Sequence, residues 1–277
     1  MKTNAIIQGF EGSGKTRSFL TLLPEWHDEQ GVVHRGVGLE TFVISMEPGH
    51  QAIFGSHGCK QDLHVHYLFP SGLSWDTVGN FARIINQNPM KDAMGYTDPK
   101  KQNYTGFMEL FGICKSFTCD SCGKNFGNAA EWNEDRALCL DSLSPLSVMV
   151  MQNVVGGKPV PSQPEYFAAG GQLLAFLRLF FGMTKCSAIL TAHIDREVDP
   201  VSGSIVHTMD TIGQRFAPQI RKLPDELITA YEDEGKYYWS NTPSRTGFTK
   251  VKHRRLPEGD THQPEFMSIF AHEELPQ

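Results

Sequence analysis

The sequence predicts an α/β domain, a mostly parallel, twisted sheet flanked by helices, and three stretches carry that expectation. Ala5, Ile6 and Ile7 form a short apolar run that leads into the glycine-rich GFEGSGKT of residues 9–16. Phe42, Val43 and Ile44 form a second run that closes on Glu47, and residues 137–140 form a third that closes on Asp141. Apolar runs without polar alternation are what strands covered on both faces by helices require. Ligands of such open sheets gather at the carboxyl ends of the strands, so the residues that close each run are the ones to read for chemistry.

The first run carries the most specific pattern. Gly9, Gly14, Lys15 and Thr16 stand at the spacing G-x-x-x-x-G-K-[ST], with Glu11, Gly12 and Ser13 completing the loop. Glycines let a row of backbone N–H groups approach phosphate oxygens closely. Lys15 brings a point charge to the β- and γ-phosphates, and the Thr16 hydroxyl is of the type that ligates Mg²⁺. Leu20, Leu22 and Leu23 give the next segment the apolar side of a helix. A glycine-rich turn that matches by accident would lack this strand before and helix after, so the loop reads as a nucleoside triphosphate site with Mg²⁺ at Thr16.

At 277 residues the chain suits one large domain with an insertion, here expected as a single unit over 1–277 interrupted at about 104–135. Hydrophobic residues at 40% and charged residues at 20% are those of an ordinary globular protein. A net charge of −6 argues against an all-over basic nucleic-acid coat, though not against a local basic patch. The phosphate-loop strand begins within the first few residues, where a secretory signal would stand. The apolar stretch at 173–183 is short for a bilayer and interrupted by Arg178. The expectation is therefore a cytoplasmic protein with no membrane partner. Six cysteines in that setting point to thiols or a bound metal rather than disulfides.

In chain order, residues 24–38 read as a polar connection. Residues 41–45 are the second strand, and Glu47 stands just past it before Pro48 and Gly49. A carboxylate there orients or deprotonates an attacking water, or is a solvated loop glutamate. Residues 63–68 alternate as a strand. Residues 74–85 read as an amphipathic helix with Trp75, Val78, Phe81, Ala82 and Ile85 on one side, residues 86–102 as an exposed loop, and residues 104–117 as a helix.

Residues 114–127 are the least ordinary piece. Cys119 and Cys122, followed by Gly123 and Lys124, have the shape of a zinc knuckle, two thiolates on a tight turn. Cys114 is the candidate third ligand, and a fourth has to come from afar, from Cys59, His57, His64 or His66. A plain thiol-bearing hairpin is the alternative.

Residues 137–140 then deliver Asp141, as a Walker B strand delivers a carboxylate that holds Mg²⁺ through water. Residues 154–164 are a Gly- and Pro-rich loop, and Ser162 with Glu165 forms a capping box for a helix whose core face is Leu173, Leu174, Leu177, Phe180 and Phe181. Residues 187–193 form a strand ending in Thr191, Ala192 and His193, where His193 is a γ-phosphate sensor or a buried, satisfied histidine. A hairpin around Pro200 and Gly203, a helix over 210–222, a strand over 226–231 and an antiparallel partner over 236–241 complete the reading. Near the end, alternation puts Lys250, Lys252 and Arg254 on one side of an extended piece. That face meets an anion, either the γ-phosphate on a neighbouring subunit or a DNA backbone, unless it is a solvated edge.

In this order the parts resemble the RecA-core ATPases of bacteriophages, most closely those linked to single-strand annealing and recombination. The resemblance runs over roughly residues 3–257 and is specific in DRALCLDSLSPLS, VVGGKPV, LTAHIDREVDPVSG and IGQRFAPQI. It implies a RecA-like P-loop core, Mg²⁺-dependent ATP hydrolysis, self-assembly as a ring or filament, and action on single-stranded DNA with other phage recombination or replication proteins. Carried over by position, it implies Lys15 and Thr16 for phosphate and metal, Asp141 as Walker B, Glu47 as the water-activating group and His193 as the sensor. A P-loop nucleotide kinase and a non-hydrolysing assembly protein are the alternative readings.

Overall fold

The structure, a computed structural model, describes residues 2–28, 30–47, 59, 62–69, 79, 83, 86, 104–156, 158, 160–198, 203, 205–213, 215–242 and 261–270. In chain order its strands are β1 (Asn4–Gly9), β2 (Glu25–His27), β3 (Val33–Arg35), β4 (Glu40–Ser45), β5 (Leu63–Tyr67), β6 (Arg136–Asp141), β7 (Ser187–Val198), β8 (Ile205–Met209), β9 (Glu226–Asp233) and β10 (Lys236–Ser240). The helices are α1 (Gly106–Lys115), α2 (Leu143–Val155), α3 (Gln163–Met183) and the single turns α4 (Ala217–Ile220) and α5 (Met267–Phe270).

One sheet of eight strands runs in the order β10-β9-β1-β7-β6-β4-β5, with β8 paired to β7. From β9 to β5 every neighbouring pair is parallel. β10 and β8 are antiparallel additions, β8 to the outer end of β7. The apolar runs have the two-sided burial they require. Ile6, Phe42, Ile44, Leu138, Leu140 and Leu190 turn to one face, under α1, α2 and α3. Their neighbours Ala5, Ile7, Val43, Ala137, Cys139 and Ile189 turn to the other, against Phe19, Leu22, Trp239 and Phe266. This is an α/β fold with helices packed on a mostly parallel sheet.

α3 has the length and apolarity of a membrane-crossing helix, more than the stretch at 173–183 alone indicates. It spends one face on the core, burying Leu173, Leu174, Leu177, Phe180 and Phe181. Its start is the expected capping box, in which the Ser162 backbone N–H and hydroxyl both donate to Glu165 Oε2, at 2.6 and 2.8 Å.

Three local expectations fail. After the phosphate loop the chain makes a six-residue 3-10 helix, Arg17–Leu22, rather than an α-helix. The carbonyls that would extend it are already taken: Thr21 O accepts from Val37 N, and Leu22 O accepts from Gly38 N and Leu39 N at 3.1 and 2.8 Å. Residues 24–38 are not just a connection, because β2 and β3 pair as a hairpin with Trp26 stacked on His34. Among the described residues of 210–222 only α4 is helical, and Gly213 has φ +64°, outside the helical region. α2 is an element that sequence reading did not assign; its Pro145 lies in the first turn, where a missing N–H costs nothing. Of the helix read over 74–85 only residues 79 and 83 are described, both helical, and of the loop read over 86–102 only residue 86, also helical. The Pro48–Gly49 turn, His57, and the basic piece with Lys250, Lys252 and Arg254 lie outside the described residues.

Candidate nucleotide site and a thiol cluster

The loop that follows β1 shows why its glycines stand where they do. A Cβ on Gly9 would lie 2.4 Å from Ala230 O and 2.6 Å from Ser13 Oγ, so nothing larger than glycine fits. Gly14 has φ +79°, in the left-handed region, with the Tyr237 ring packed beside it. Lys15 is 5% exposed, and its ammonium donates to Gly9 O at 2.9 Å and Phe10 O at 2.7 Å. Burial pulls its pKa down to about 8, against the upward pull of Asp141, Glu47 and Glu11. Beside the loop opens a cleft of about 400 Å³ whose walls include Gly14, Arg17, Trp26, Tyr237 and Glu265.

Strand register brings the remaining residues to this loop. β7 lies between β1 and β6, with Gly9 opposite His193, Ile7 opposite Thr191 and Leu140 opposite Leu190. On the other side of β6, Ser45 stands opposite Asp141. The carboxyl ends of β1, β6 and β4 therefore lie side by side around the middle of β7, which runs on past the expected end at His193 to Val198 and pairs there with β8. The polar groups of all four strands meet there. Thr16 Oγ1 donates to Asp141 Oδ2 at 2.8 Å, and the Thr191 hydroxyl donates to Asp141 Oδ1. His193 Nε2 lies 2.8 Å from Glu47 Oε1, and the Ser142 hydroxyl donates to the same oxygen. Asp141 is 1% exposed, whereas the Glu47 and His193 side chains are about a quarter open to solvent.

This geometry has a chemical sense. The Thr16 hydroxyl and the Asp141 carboxylate present hard oxygen donors at one point, as Mg²⁺ ligation needs. Glu47 is a carboxylate held by two hydrogen-bonding neighbours and partly open to solvent, as a water-activating group requires. Thr191 and Ser142 are members that sequence reading passed over. The signal for Thr191 was available, because strand alternation places it on the same face as His193.

A second convergence lies at the opposite end of β4 and β5. The ligand atoms of Cys59, His64, Cys119 and Cys122 all lie within 4.8 Å of one another. Cys119 and Cys122 sit on a tight turn, in which Cys119 N donates to Lys124 O at 3.0 Å and Gly123 N to Cys119 O at 2.8 Å. Gly123 has φ +69°, and Thr118 bridges Asn125 to close the hairpin. Burial and the two adjacent thiols push Cys59 up to about 12, while the Lys124 backbone N–H draws Cys122 below the usual thiol value. Burial also lowers the pKa of His64, which favours the neutral imidazole. Its Nε2 lies 3.4 Å from Glu40 Oε1, and Arg136 Nε holds the other oxygen of Glu40 at 2.7 Å.

The ligand set differs from the one expected at one position, Cys114, whose place is taken by a second ligand from afar. Cys114 is not near this cluster: it stands four residues after the fully buried Leu110 on α1, on the same helix face, and packs against the core. Burial pushes its thiol up to about 12. His66 is engaged elsewhere, its Nδ1 2.8 Å from Thr118 O and 3.1 Å from Asp120 Oδ1. Of the described candidates from afar, Cys59 and His64 are the ones that arrive.

No family model matches this chain, and no curated protein matches it. Among solved structures it is similar to the flagellar accessory protein FlaH of Methanocaldococcus jannaschii, at 10% identity and a TM-score of 0.31, over 95% of this chain and 82% of that one. At that distance, the meeting of strand ends around the glycine loop remains the ground for a functional reading.

Proposed function

We propose that this chain is a RecA-like P-loop ATPase that binds Mg²⁺–ATP and hydrolyses it. The observation that supports it is the contact of Thr16 with Asp141 beside the Glu47–His193 pair, all around the loop that buries Lys15. Backbone N–H groups of residues 12–16 and the Lys15 ammonium bind the phosphates, Lys15 exchanging the carbonyls of Gly9 and Phe10 for phosphate oxygens. Thr16 and Asp141 would hold Mg²⁺, which when bound neutralises charge across the phosphate oxygens. Thr191 fixes the Asp141 carboxylate toward that position. Glu47 orients the water and accepts its proton, and the attack on phosphorus then proceeds in line. His193 and Ser142 hold Glu47 in place, and His193 reports the state of the γ-phosphate. The cleft by Trp26 and Tyr237 is of a size to take the nucleoside.

The resemblance noted in the sequence extends the proposal to a phage protein that self-assembles and acts on single-stranded DNA in recombination, annealing or replication. On that reading Lys250, Lys252 and Arg254 supply either a cation to a neighbouring subunit's nucleotide or a contact to the DNA backbone. Steady-state ATP turnover, measured with and without single-stranded DNA, tests both levels. Hydrolysis that rises with DNA is the expected result. Phosphoryl transfer to a nucleoside monophosphate would replace the proposal by a kinase, and binding without turnover by an assembly switch.

A further inference from the structure

We propose that Cys59, His64, Cys119 and Cys122 bind one zinc ion in a closed tetrahedral site that clamps the hairpin of residues 116–127 onto the edge strand β5. The donor set carries the choice of ion. Three thiolates and one imidazole match structural zinc, with ligand distances of about 2.3 Å to sulfur and 2.0 Å to nitrogen. Around a tetrahedral centre those lengths put sulfurs about 3.8 Å apart. Cys59 Sγ and Cys119 Sγ are 3.5 Å apart, and all four donors fit within 4.8 Å. A disulfide between them would need about 2.05 Å, and would leave Cys122 and His64 without a role.

His64 supplies an independent observation. It is 6% exposed, and its Nδ1 is buried with no hydrogen-bond partner among the described residues. A buried imidazole nitrogen left without a partner costs free energy, and a metal bond removes that cost. Its other nitrogen faces Glu40, which Arg136 holds in turn. Metal-bound histidines are oriented by a carboxylate in this way, which fixes the tautomer so that Nδ1 presents its lone pair. Glu40 is thus a positioning residue for the site.

Loading balances simply. Three thiols release three protons to solvent, one Zn²⁺ enters, and the neutral imidazole loses none, so the filled site carries a net charge of −1. Lys124, next to the turn, lies near enough to interact with both His64 and Cys122, and offsets that charge. The clamp holds contacts already in place on the outer edge of β5: Asp120 N donates to Val65 O at 2.9 Å, and Tyr67 N to Asp120 Oδ2 at 2.7 Å. A covered edge does not recruit foreign strands.

The test uses the full chain. Stripped with a chelator and offered zinc alone, it should take up about one equivalent. Mass-spectrometric mapping of alkylation should then find Cys59, Cys119 and Cys122 protected in loaded protein and reactive after chelation. Cys122→Ser, at an exposed position, should lose the zinc, and Cys114→Ser should keep it. Glu40→Gln should weaken zinc binding about 10–100-fold at unchanged stoichiometry. The proposal is overturned by wild-type protein that takes up no zinc, by alkylation that zinc does not change, by an intact mass showing a disulfide, or by zinc retained in Cys122→Ser and lost in Cys114→Ser.

Discussion

β4 begins beside one cluster of polar groups and runs out beside another. Glu40, its first residue, faces His64, while Glu47, two residues beyond its last, faces His193. Both ends pair a glutamate with a histidine, yet the two neighbourhoods solve the same problem differently. Around Glu47 the groups are oxygens and one imidazole, and they satisfy one another: Thr16 and Thr191 on Asp141, Ser142 and His193 on Glu47. Around Glu40 the groups are sulfurs, weak donors and weak acceptors, and the buried Nδ1 of His64 is left over. Hard oxygen sites can hold their shape through mutual hydrogen bonds and accept a ligand in passing. A thiol cluster has no comparable internal solution, so its natural completion is a resident cation. The six residues of β4, roughly 20 Å at about 3.3 Å each, keep the two chemistries apart.

The sharpest way to break this contrast is at Lys15. Lys15→Ala should reduce ATP turnover at least about 100-fold, the scale of losing one preorganised charge contact to the transition state, and weaken triphosphate binding as well. Zinc content should not change. A variant with normal turnover would remove the loop from the mechanism. Glu47→Gln should fall by about 100-fold or more in turnover while its affinity for ATP, read by equilibrium titration, stays that of the wild type. Normal hydrolysis in that variant would put the base elsewhere.

Thr191→Val sharpens the comparison from the structural side. It removes the hydroxyl on Asp141 Oδ1 and keeps the strand shape, so the Mg²⁺ concentration for half-maximal turnover should rise by about tenfold, the lower end for losing a group that orients a metal ligand. An unchanged Mg²⁺ requirement would mean that Asp141 needs no support from β7.

The smallest effect is in pH. Burial holds Lys15 at about 8 in the unliganded loop, and phosphate oxygens raise it by favouring the charged form. The complex therefore binds more protons than the free protein. Triphosphate affinity should be flat below pH 8 and fall above it, by up to about tenfold per pH unit for one linked proton. Calorimetric titrations from pH 7 to about 9.5, in buffers of different ionisation enthalpy, should show proton uptake growing over that range; affinity flat to pH 9.5 would contradict it.

How much of this was legible in residue order follows from what local chemistry specifies. The spacing of Gly9, Gly14, Lys15 and Thr16 names the phosphate loop because a tight turn needs glycine, and the clash at Gly9 is with Ser13 in the same loop and with Ala230 across the sheet. The apolar runs closing on Glu47 and Asp141 announce buried parallel strands, because no other short element tolerates hydrophobes on both faces. Cys119-x-x-Cys122 announces its turn, since Gly123 supplies the left-handed residue it needs. Apart from the Ala230 contact of Gly9, the cause in each case lies within a few residues of the signal.

What tertiary structure decided are the pairings across distance. That Thr191 rather than a neighbour supports Asp141 depends on the register of β7 between β1 and β6. That Cys59 and His64 complete the thiol cluster, while Cys114 turns into the core, depends on how α1 and β5 pack around the hairpin. The end of the first helix was likewise set from outside, by residues 37–39 taking the carbonyls that would have extended it. Sequence by itself determined which chemistries this chain carries, because glycine, thiol and carboxylate patterns are local. Packing decided which of those groups meet, because strand register and helix facing are set only when the whole sheet closes.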